Sequence, residues 1–394
     1  MRIARILTRM NLGGPARQAL AVDPVLSGRG HELRLFAGDP EPGEGDLFAT
    51  YASRGLDAVR VRGLRRGVNP FRDVLARRRL QAELSAFGPE VVHTHASKAG
   101  ALGRTALRSG KLSRVARVHT FHGHVLEGYF PEAVSKRLVR FERRLAEETD
   151  RVLAVSHATA DDLLRLGVTS EEKLVVVPPG IDLAPLLAIE RPRRAGGALR
   201  TLLGLDGDAL LFGVVGRLAE VKQPERALAV FEVLAERHPE LQLVFVGDGE
   251  LRGSLERKIL ALDPARSQRV HLVGAREDMP EVLADLDAVV NVSRSEGMPV
   301  ALIEAAAAGL PVVASDVGGV GELVVHERTG FLAQNDTELS FGIDALCRDA
   351  RERQAMGGRA RMRIERRHAA AVLADRLEEV YRVVCEERAS GGAA

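Results

Sequence analysis

Two cysteines, Cys347 and Cys385, are all that the 394 residues contain, which leaves no disulfide framework to hold a fold together. No apolar run approaches the roughly 18 residues that a bilayer-spanning helix needs. The N-terminus, Met1-Arg2-Ile3-Ala4-Arg5-Ile6-Leu7-Thr8-Arg9, is interrupted by arginines and lacks the apolar core of an export signal, so a cytoplasmic location is expected. No Gly-x-Gly-x-x-Gly follows a strand. Gly247-Asp248-Gly249 is a fragment of that fingerprint with Arg252 at the third glycine position, which disfavours a nicotinamide-dependent dehydrogenase. There is neither a Gly-x-Ser-x-Gly nor a phosphate loop ending in Gly-Lys-Ser/Thr, so serine hydrolase and P-loop NTPase readings lose support. Short repeats and low-complexity segments are also missing.

What the chain does have is alternation. Short apolar runs without a polar period fall near Ile3–Leu7, Leu33–Phe36, Val91–Thr94, Ala116–Thr120, Val152–Val155 and Leu174–Val177. A second series falls near Leu210–Val215, Leu241–Val246, Val270–Val273, Ala288–Val292 and Leu310–Ala314. Each run precedes a helical segment, the pattern of parallel strands covered on both faces. The length suggests two domains, and an apolar content of 45% can supply both cores. The expected division is an N-terminal domain over 1–180, a Pro- and Gly-rich linker over 181–200, a C-terminal domain over 201–370, and over 371–394 a helix packing back on the N-terminal domain, with a frayed tail. Charge divides along the same line: residues 1–182 carry 29 Lys and Arg against 21 Asp and Glu, or +8, and residues 183–394 carry 27 against 33, or −6. The basic excess is densest from Arg60 to Arg79, where Asp73 alone opposes eight arginines. Such a field attracts anionic partners.

The chemistry-bearing residues follow the strand-like runs. Glu296 and Glu304 lie eight residues apart in Glu296-Gly297-Met298-Pro299-Val300-Ala301-Leu302-Ile303-Glu304. The first sits on a strand-to-helix loop, the second inside the helix. Open parallel sheets bind ligands at the carboxyl ends of their strands, beside helix N-termini, and two carboxylates there can grip a polyhydroxylated ligand. Alternatively, they are a loop glutamate and an unrelated helical one. Gly216-Arg217-Leu218, with Lys222 five residues after Arg217, follows the first strand of the second half. A guanidinium fork and an ammonium at that edge can neutralise a diphosphate, or can simply be two solvated cations. Gly13-Gly14 after the first strand lets a backbone pass close to a ligand or begin a helix. Gly318-Gly319 could form an anion-binding concavity or a plain turn. His119, His122 and His124 cluster without a nearby cysteine or carboxylate, which argues against a metal, and His122 beside Gly123 is best placed to face a ligand. His93 and His95 read as strand residues with packing or hydrogen-bond roles. Asp285-Leu286-Asp287 precedes a strand at its amino end and reads as a helix end and loop. Asn69-Pro70 and Gly88-Pro89 bound a helix whose apolar residues Phe71, Val74, Leu75, Leu84 and Phe87 either pack on the sheet or meet anionic lipid.

Taken together and in this order, these residues resemble the retaining nucleotide-sugar glycosyltransferases of family four, the glycosyl transferases of group 1. The most specific stretches are Gly216-Arg217…Lys222 and Ser295-Glu296-Gly297-Met298-Pro299…Glu304. His95-Ala96-Ser97-Lys98-Ala99-Gly100 and His119-Thr120-Phe121-His122-Gly123 are similar to the capsule and exopolysaccharide branch. The resemblance implies an α/β chain with the GT-B fold, two Rossmann-like doubly wound parallel-sheet domains facing a deep interdomain cleft, with the acceptor on the N-domain and the nucleotide sugar on the C-domain. It implies catalytic roles for His122, Glu296, Arg217 and Lys222. Arg217 and Lys222 would bind the donor diphosphate, Glu304 the ribose hydroxyls, Glu296 the hydroxyls of the transferred sugar, and His122 would lie near the reacting sugar. Gly14, after Gly13, would approach the phosphates. Gly274 and Arg276 would lie at the base, and Gly216, Gly297, Met298, Pro299, Val300, Gly318 and Gly319 would line the donor site. Two departures are small: Met298 replaces a commoner Phe or Leu, and Gln223 follows Lys222 where Gly or Asn is frequent.

The implied reaction is transfer of a sugar from a UDP-sugar to a glycan or lipid-linked acceptor in cell-surface polysaccharide biosynthesis. Neither a cofactor nor a metal is expected, and no nucleic-acid partner. Peripheral contact with the inner face of the plasma membrane through Arg60–Arg79 goes with such an acceptor. A sugar-nucleotide epimerase of similar architecture and a non-catalytic sugar-nucleotide sensor are the alternatives.

Overall fold

The computed structural model describes residues 1–41, 43–123, 126–127, 129–191, 197–205 and 207–391. The chain forms two compact units, Met1–Asp182 with Ala369–Ala394, and Leu183–His368. In the first, β1 (Arg2–Leu7), β2 (Glu32–Ala37), β3 (Asp57–Arg60), β4 (Val91–His95), β5 (Ala116–Phe121), β6 (Arg151–Ala154) and β7 (Leu174–Val176) form one sheet in the order β3-β2-β1-β4-β5-β6-β7. Every pairing in it is parallel. In the second, β8 (Leu210–Val215), β9 (Leu241–Val246), β10 (Val270–Leu272), β11 (Ala288–Asn291), β12 (Val312–Ser315) and β13 (Gly330–Ala333) lie in the order β10-β9-β8-β11-β12-β13, again parallel.

These are the doubly wound sheets that the apolar runs predict. The central strands β4, β5, β11 and β12 are buried at every residue, as strands covered on both faces must be. Two strands escape the sequence reading. Both are edge strands: β3, Asp-Ala-Val-Arg, has charged ends and β13, Gly-Phe-Leu-Ala, opens on glycine. An edge strand buries less, so its sequence carries a weaker apolar signal.

The C-terminal helix Ala370–Gly391 belongs to the first unit. Ala374, Leu377, Tyr381 and Val384 pack with Ile3, Val22 and Val118 in one core, and Glu378 meets Arg29 and His31. In the region read as linker, 192–196 lie outside the described residues. On either side of them Ala184–Leu187 and Ala198–Leu203 are helical. The helix Pro70–Phe87 is capped by Asn69, whose side chain accepts from the Arg72 amide at 3.1 Å, and ends at Gly88. Its apolar residues divide. Leu84 and Phe87 are buried with Ala76 and Leu80, whereas Phe71 is 86% and Leu75 52% exposed.

In each sheet the winding direction reverses between two neighbours, β1 and β4 in the first and β8 and β11 in the second. Their carboxyl ends splay their loops apart there, and this is where such sheets bind ligands.

Candidate functional site

The loops that leave β8 and β11 meet at the reversal point of the second sheet. Arg217 and Lys222 follow β8, and Glu296 follows β11. Three donors converge on one Glu296 oxygen: Lys222 Nζ at 2.6 Å, Ser293 Oγ at 2.7 Å and Asn291 Nδ2 at 3.1 Å, each donating to Oε1. The carboxylate is 8% exposed and the Lys222 side chain 31%. A buried charge is tolerated only when paired and hydrogen-bonded, and this one has both. The backbone fixes the approach, since the Arg294 amide donates to Val221 O at 2.8 Å and ties the Glu296 loop to the Lys222 loop.

Two glycines permit the packing behind these loops. A Cβ on Gly318, whose φ is +52°, would fall 1.8 Å from Glu296 O. One on Gly247 would fall 1.9 Å from Gly216 O. The Gly319 amide lies 3.1 Å from Gly297 O, so Gly318-Gly319 braces the Glu296 loop from behind. The dinucleotide-like fragment Gly247-Asp248-Gly249 has a similar duty toward the Gly216–Leu218 loop, and Asp248 O accepts from the Leu218 amide at 2.9 Å.

Gly297, Met298 and Pro299 are buried and lead into the helix Val300–Ala307, with Pro299 just before its first turn. Glu304 is buried one turn inside it. Arg217, a third exposed, lies 3.7 Å from Glu250. Arg276 pairs with Asp278 at 2.5 and 2.8 Å, beyond Gly274, whose carbonyl accepts from the Gly247 amide at 2.8 Å. Gly274 and Arg276 are thus joined to the Gly216 loop through Gly247. Gly13, Gly14 and His122 belong to the first unit. Gly13 caps the helix Gly14–Gly28, and its amide donates to Asn11 Oδ1 at 3.2 Å.

The carboxyl edge of the first sheet carries a cluster of imidazoles beside the ion pairs Arg9–Glu44 and Lys98–Asp73. His95, the last residue of β4, bonds through Nδ1 to His122 Nε2 at 3.0 Å, and the two rings stack 5.2 Å apart. His93 Nδ1 meets the Tyr381 hydroxyl at 2.6 Å and its Nε2 the Thr120 hydroxyl at 2.7 Å. His119 Nδ1 meets the Thr94 hydroxyl at 2.8 Å. Burial, then the nearby charge of Arg5, pulls His122 down to about 4. Burial likewise holds His93, His95 and His119 well below the ordinary imidazole value. His124, the third histidine of the sequence cluster, lies outside the described residues.

Sequence reasoning missed Asn291 and Ser293. The signal was there, because two small polar residues with strand spacing at the end of the apolar run Ala288-Val289-Val290 share one face. It read Asp285 and Asp287 as a helix end and loop, which is where they lie. Asp285 accepts from the Leu199 amide at 2.7 Å, and Asp287 accepts from the Leu211 amide at 2.8 Å and pairs with Arg200.

Comparison with known proteins gives the same picture. The description Glycosyltransferase Family 4 matches residues 12–185, and Glycosyl transferases group 1 matches residues 199–363. The chain is 29% identical to the UDP-Gal:alpha-D-GlcNAc-diphosphoundecaprenol alpha-1,3-galactosyltransferase of Escherichia coli, over 97% of this chain and 96% of that one. It is 30% identical to the D-inositol 3-phosphate glycosyltransferase of Xylanimonas cellulosilytica, over 72% of this chain and 70% of that one. Its fold is similar to that of Anabaena Alr3699/HepE in complex with UDP and glucose, with a TM-score of 0.78 at 22% identity, covering 97% of this chain and 100% of that one. With both family descriptions matched in chain order and two parallel sheets of the GT-B kind beneath them, the chain belongs to the family-four, group 1 glycosyltransferases.

Proposed function

We propose that this glycosyltransferase moves a sugar from a UDP-sugar to a lipid-linked diphosphate acceptor, with retention of anomeric configuration and without a metal, in the building of a surface polysaccharide. The observation that carries the reading is the Glu296 carboxylate, held by Lys222, Ser293 and Asn291 at the reversal point of the second sheet, with Arg217 on the neighbouring loop. Support for the donor and acceptor comes from the Escherichia coli relative, whose name gives UDP-Gal and a diphosphoundecaprenol, and from the Anabaena complex with UDP and glucose.

Breaking a sugar–phosphate bond builds positive charge on the sugar carbon and negative charge on the departing diphosphate. Arg217 would grip the diphosphate through its fork and Lys222 would act as a point charge. The amides at the start of Val300–Ala307 would add a helix N-terminus. Glu296 would then accept from the sugar hydroxyls and Glu304 from the ribose. Lys222, bonded to Glu296, would sit between carboxylate and diphosphate. His122 would accept a sugar hydroxyl, as a neutral ring can. The acceptor would attack on the face that the diphosphate leaves, its proton passing to a departing oxygen. No side chain is assigned as a covalent nucleophile. The Gly318-Gly319 turn would line the diphosphate from behind the Glu296 loop, and Gly274 and Arg276 would contact the base.

We further assign the reaction to the inner face of the plasma membrane. Val68 and Phe71, each 86% exposed, and Leu75 stand among Arg65, Arg66 and Arg72 at the start of the helix Pro70–Phe87, a combination suited to anionic lipid. No helix among the described residues is long and apolar enough to cross a membrane.

Incubation with a panel of UDP-sugars and a short-chain polyprenyl diphosphate sugar tests the reading, following released UDP and the anomer of the product by NMR. Acceptor-dependent UDP release with a retained anomer is expected. Interconversion of the donor with no acceptor added would indicate the epimerase instead, and binding without UDP release the sensor. Flotation with anionic liposomes at low and high salt tests the membrane contact, and absence from the lipid fraction at both would reject it.

A further inference from the structure

The stretch His95-Ala96-Ser97-Lys98-Ala99-Gly100 has no part in the function so far. Its backbone is unusual. Ala96 has φ 60° and ψ 168°, a region open in practice to glycine alone. A side-chain-bearing residue stays there only when its surroundings over-determine it. Here the Ala96 amide donates to Thr120 O at 3.1 Å, and the Ala96 carbonyl accepts from the Gly100 amide at 2.8 Å as the helix Ser97–Ala106 begins. The turn follows His95 at once and keeps its ring beneath the sheet edge. That ring is 5% exposed and lies between His93, 4.0 Å away, and His122, 5.2 Å away.

One proton lies in the 3.0 Å contact between His95 Nδ1 and His122 Nε2. When His95 donates, His122 carries its own hydrogen on Nδ1 and presents a donor. When His122 donates, its Nδ1 is bare and presents an acceptor. The partner of His122 therefore decides what His122 offers to a ligand. Among the described residues no other ring is bonded to His122. Both nitrogens of His93 are occupied by the Tyr381 and Thr120 hydroxyls, and Nδ1 of His119 by the Thr94 hydroxyl. His95 Nε2 and His119 Nε2 are both buried with no hydrogen-bond partner among the described residues.

We propose that His95 is a positioning residue, fixing the ring plane and tautomer of His122 through Nδ1, and that the strained Ala96 peptide holds it in place. The proposal rests on His122 acting in sugar transfer, as assigned above.

Three variants of the full chain test it, read by kcat, donor KM and melting temperature: His95→Phe, which keeps the stacked ring without its nitrogens; His95→Asn, whose amide can occupy the place of Nδ1; and His122→Ala as reference. His95→Phe is expected to lower kcat by roughly 10²-fold, the lower range for losing a pre-set hydrogen-bonding group, with donor KM within about twofold because the diphosphate ligands lie on the other unit. His95→Asn should recover on the order of tenfold of that loss, the worth of one hydrogen bond. Should His95→Phe fail to fold, His95→Gln, whose amide reaches only the Nε2 position, replaces it with the same expected loss. Equal kcat for Asn and Phe, or wild-type kcat for Phe beside an impaired His122→Ala, would overturn the positioning role alone. Wild-type kcat for His122→Ala would remove the reading on which the proposal stands, and the proposal with it.

Discussion

The two sheets share a topology and differ in what they hold at their carboxyl edges. The second sheet holds charge. Lys222, Glu296 and Arg217 are paired and braced by backbone bonds, with Lys222 and Arg217 still about a third open to water. The first sheet sets uncharged rings beside its ion pairs, Arg9 with Glu44 and Lys98 with Asp73: His93, His95 and His119 are buried, bonded to hydroxyls or to His122, and driven toward the neutral form. An edge built to meet a diphosphate needs fixed ions that a ligand can reach. An edge built to orient neutral hydrogen bonds needs a dry, pre-set network. The same architecture supplies either, according to the few residues just past each strand.

Acid should break this symmetry most strongly. A histidine whose folded value is depressed leaves the native state uncharged where the unfolded chain takes up a proton. Stability is therefore full above the unfolded value of about 6.5 and falls as pH drops below it toward the folded value. Each of the three deeply buried rings should cost about 1.4 kcal/mol per pH unit over that window. In the second unit burial also lowers His271, but that ring is half-buried where the three of the first unit are deeply buried. Hydrogen exchange at pH 7 and pH 5.5 should show the first unit opening in acid while the second stays protected. Equal loss in both units would mean that the imidazoles do not set the difference.

Lys222→Ala attacks the charged edge. It should reduce transfer by roughly 10²–10³-fold, or about 3–4 kcal/mol of barrier, the usual cost of removing a charge-stabilising donor. The fold should persist, because Glu296 keeps Ser293 and Asn291. Wild-type turnover would remove Lys222 from the diphosphate. Ser293→Ala should act in the same direction and less, by about 1.5–3 kcal/mol, since a hydrogen bond to a charged group is lost while the charge keeps two donors. A lowered melting point with unchanged kcat would assign Ser293 to packing and leave the orientation of Glu296 to the other two.

How much of this could be read from the chain depends on where the physics is local. Central strands such as Val91–His95 and Leu210–Val215 are apolar runs because both faces are covered, and a run is visible in one dimension. Glu296, Lys222 and Arg217 stand just past strand ends, so the position of each could be inferred from its neighbours alone. That Lys222 reaches Glu296 across 74 residues could not. Nor could the brace at Gly318, whose missing Cβ matters only because the Glu296 carbonyl lies there in space. His95 read as an ordinary strand residue because its partner, His122, stands just past the end of the next strand. The exposed Phe71 and Leu75 were indistinguishable from the buried Leu84 and Phe87, since a single helical period does not say where the sheet ends.

The smallest expected effect sharpens the comparison at the level of backbone. Each edge carries one strained non-glycine residue, Ala96 beside His95 and Gln223 beside Lys222, the latter at φ 48° and ψ 51°. The left-handed region costs an L-residue about 1–2 kcal/mol, and glycine returns about 0.5–1 kcal/mol of that as unfolded-state entropy. Gln223→Gly should therefore stabilise the second unit by about 0.5–1 kcal/mol, seen as a higher urea midpoint at unchanged slope. Ala96 sits in the less accessible extended region, so Ala96→Gly should gain at least as much. A glycine there also frees the peptide that aims His95, so the gain should come with a lower kcat. If both substitutions stabilised and neither touched kcat, the strain at the two edges would be a residue of folding and not a device for orienting the side chains at the strand ends.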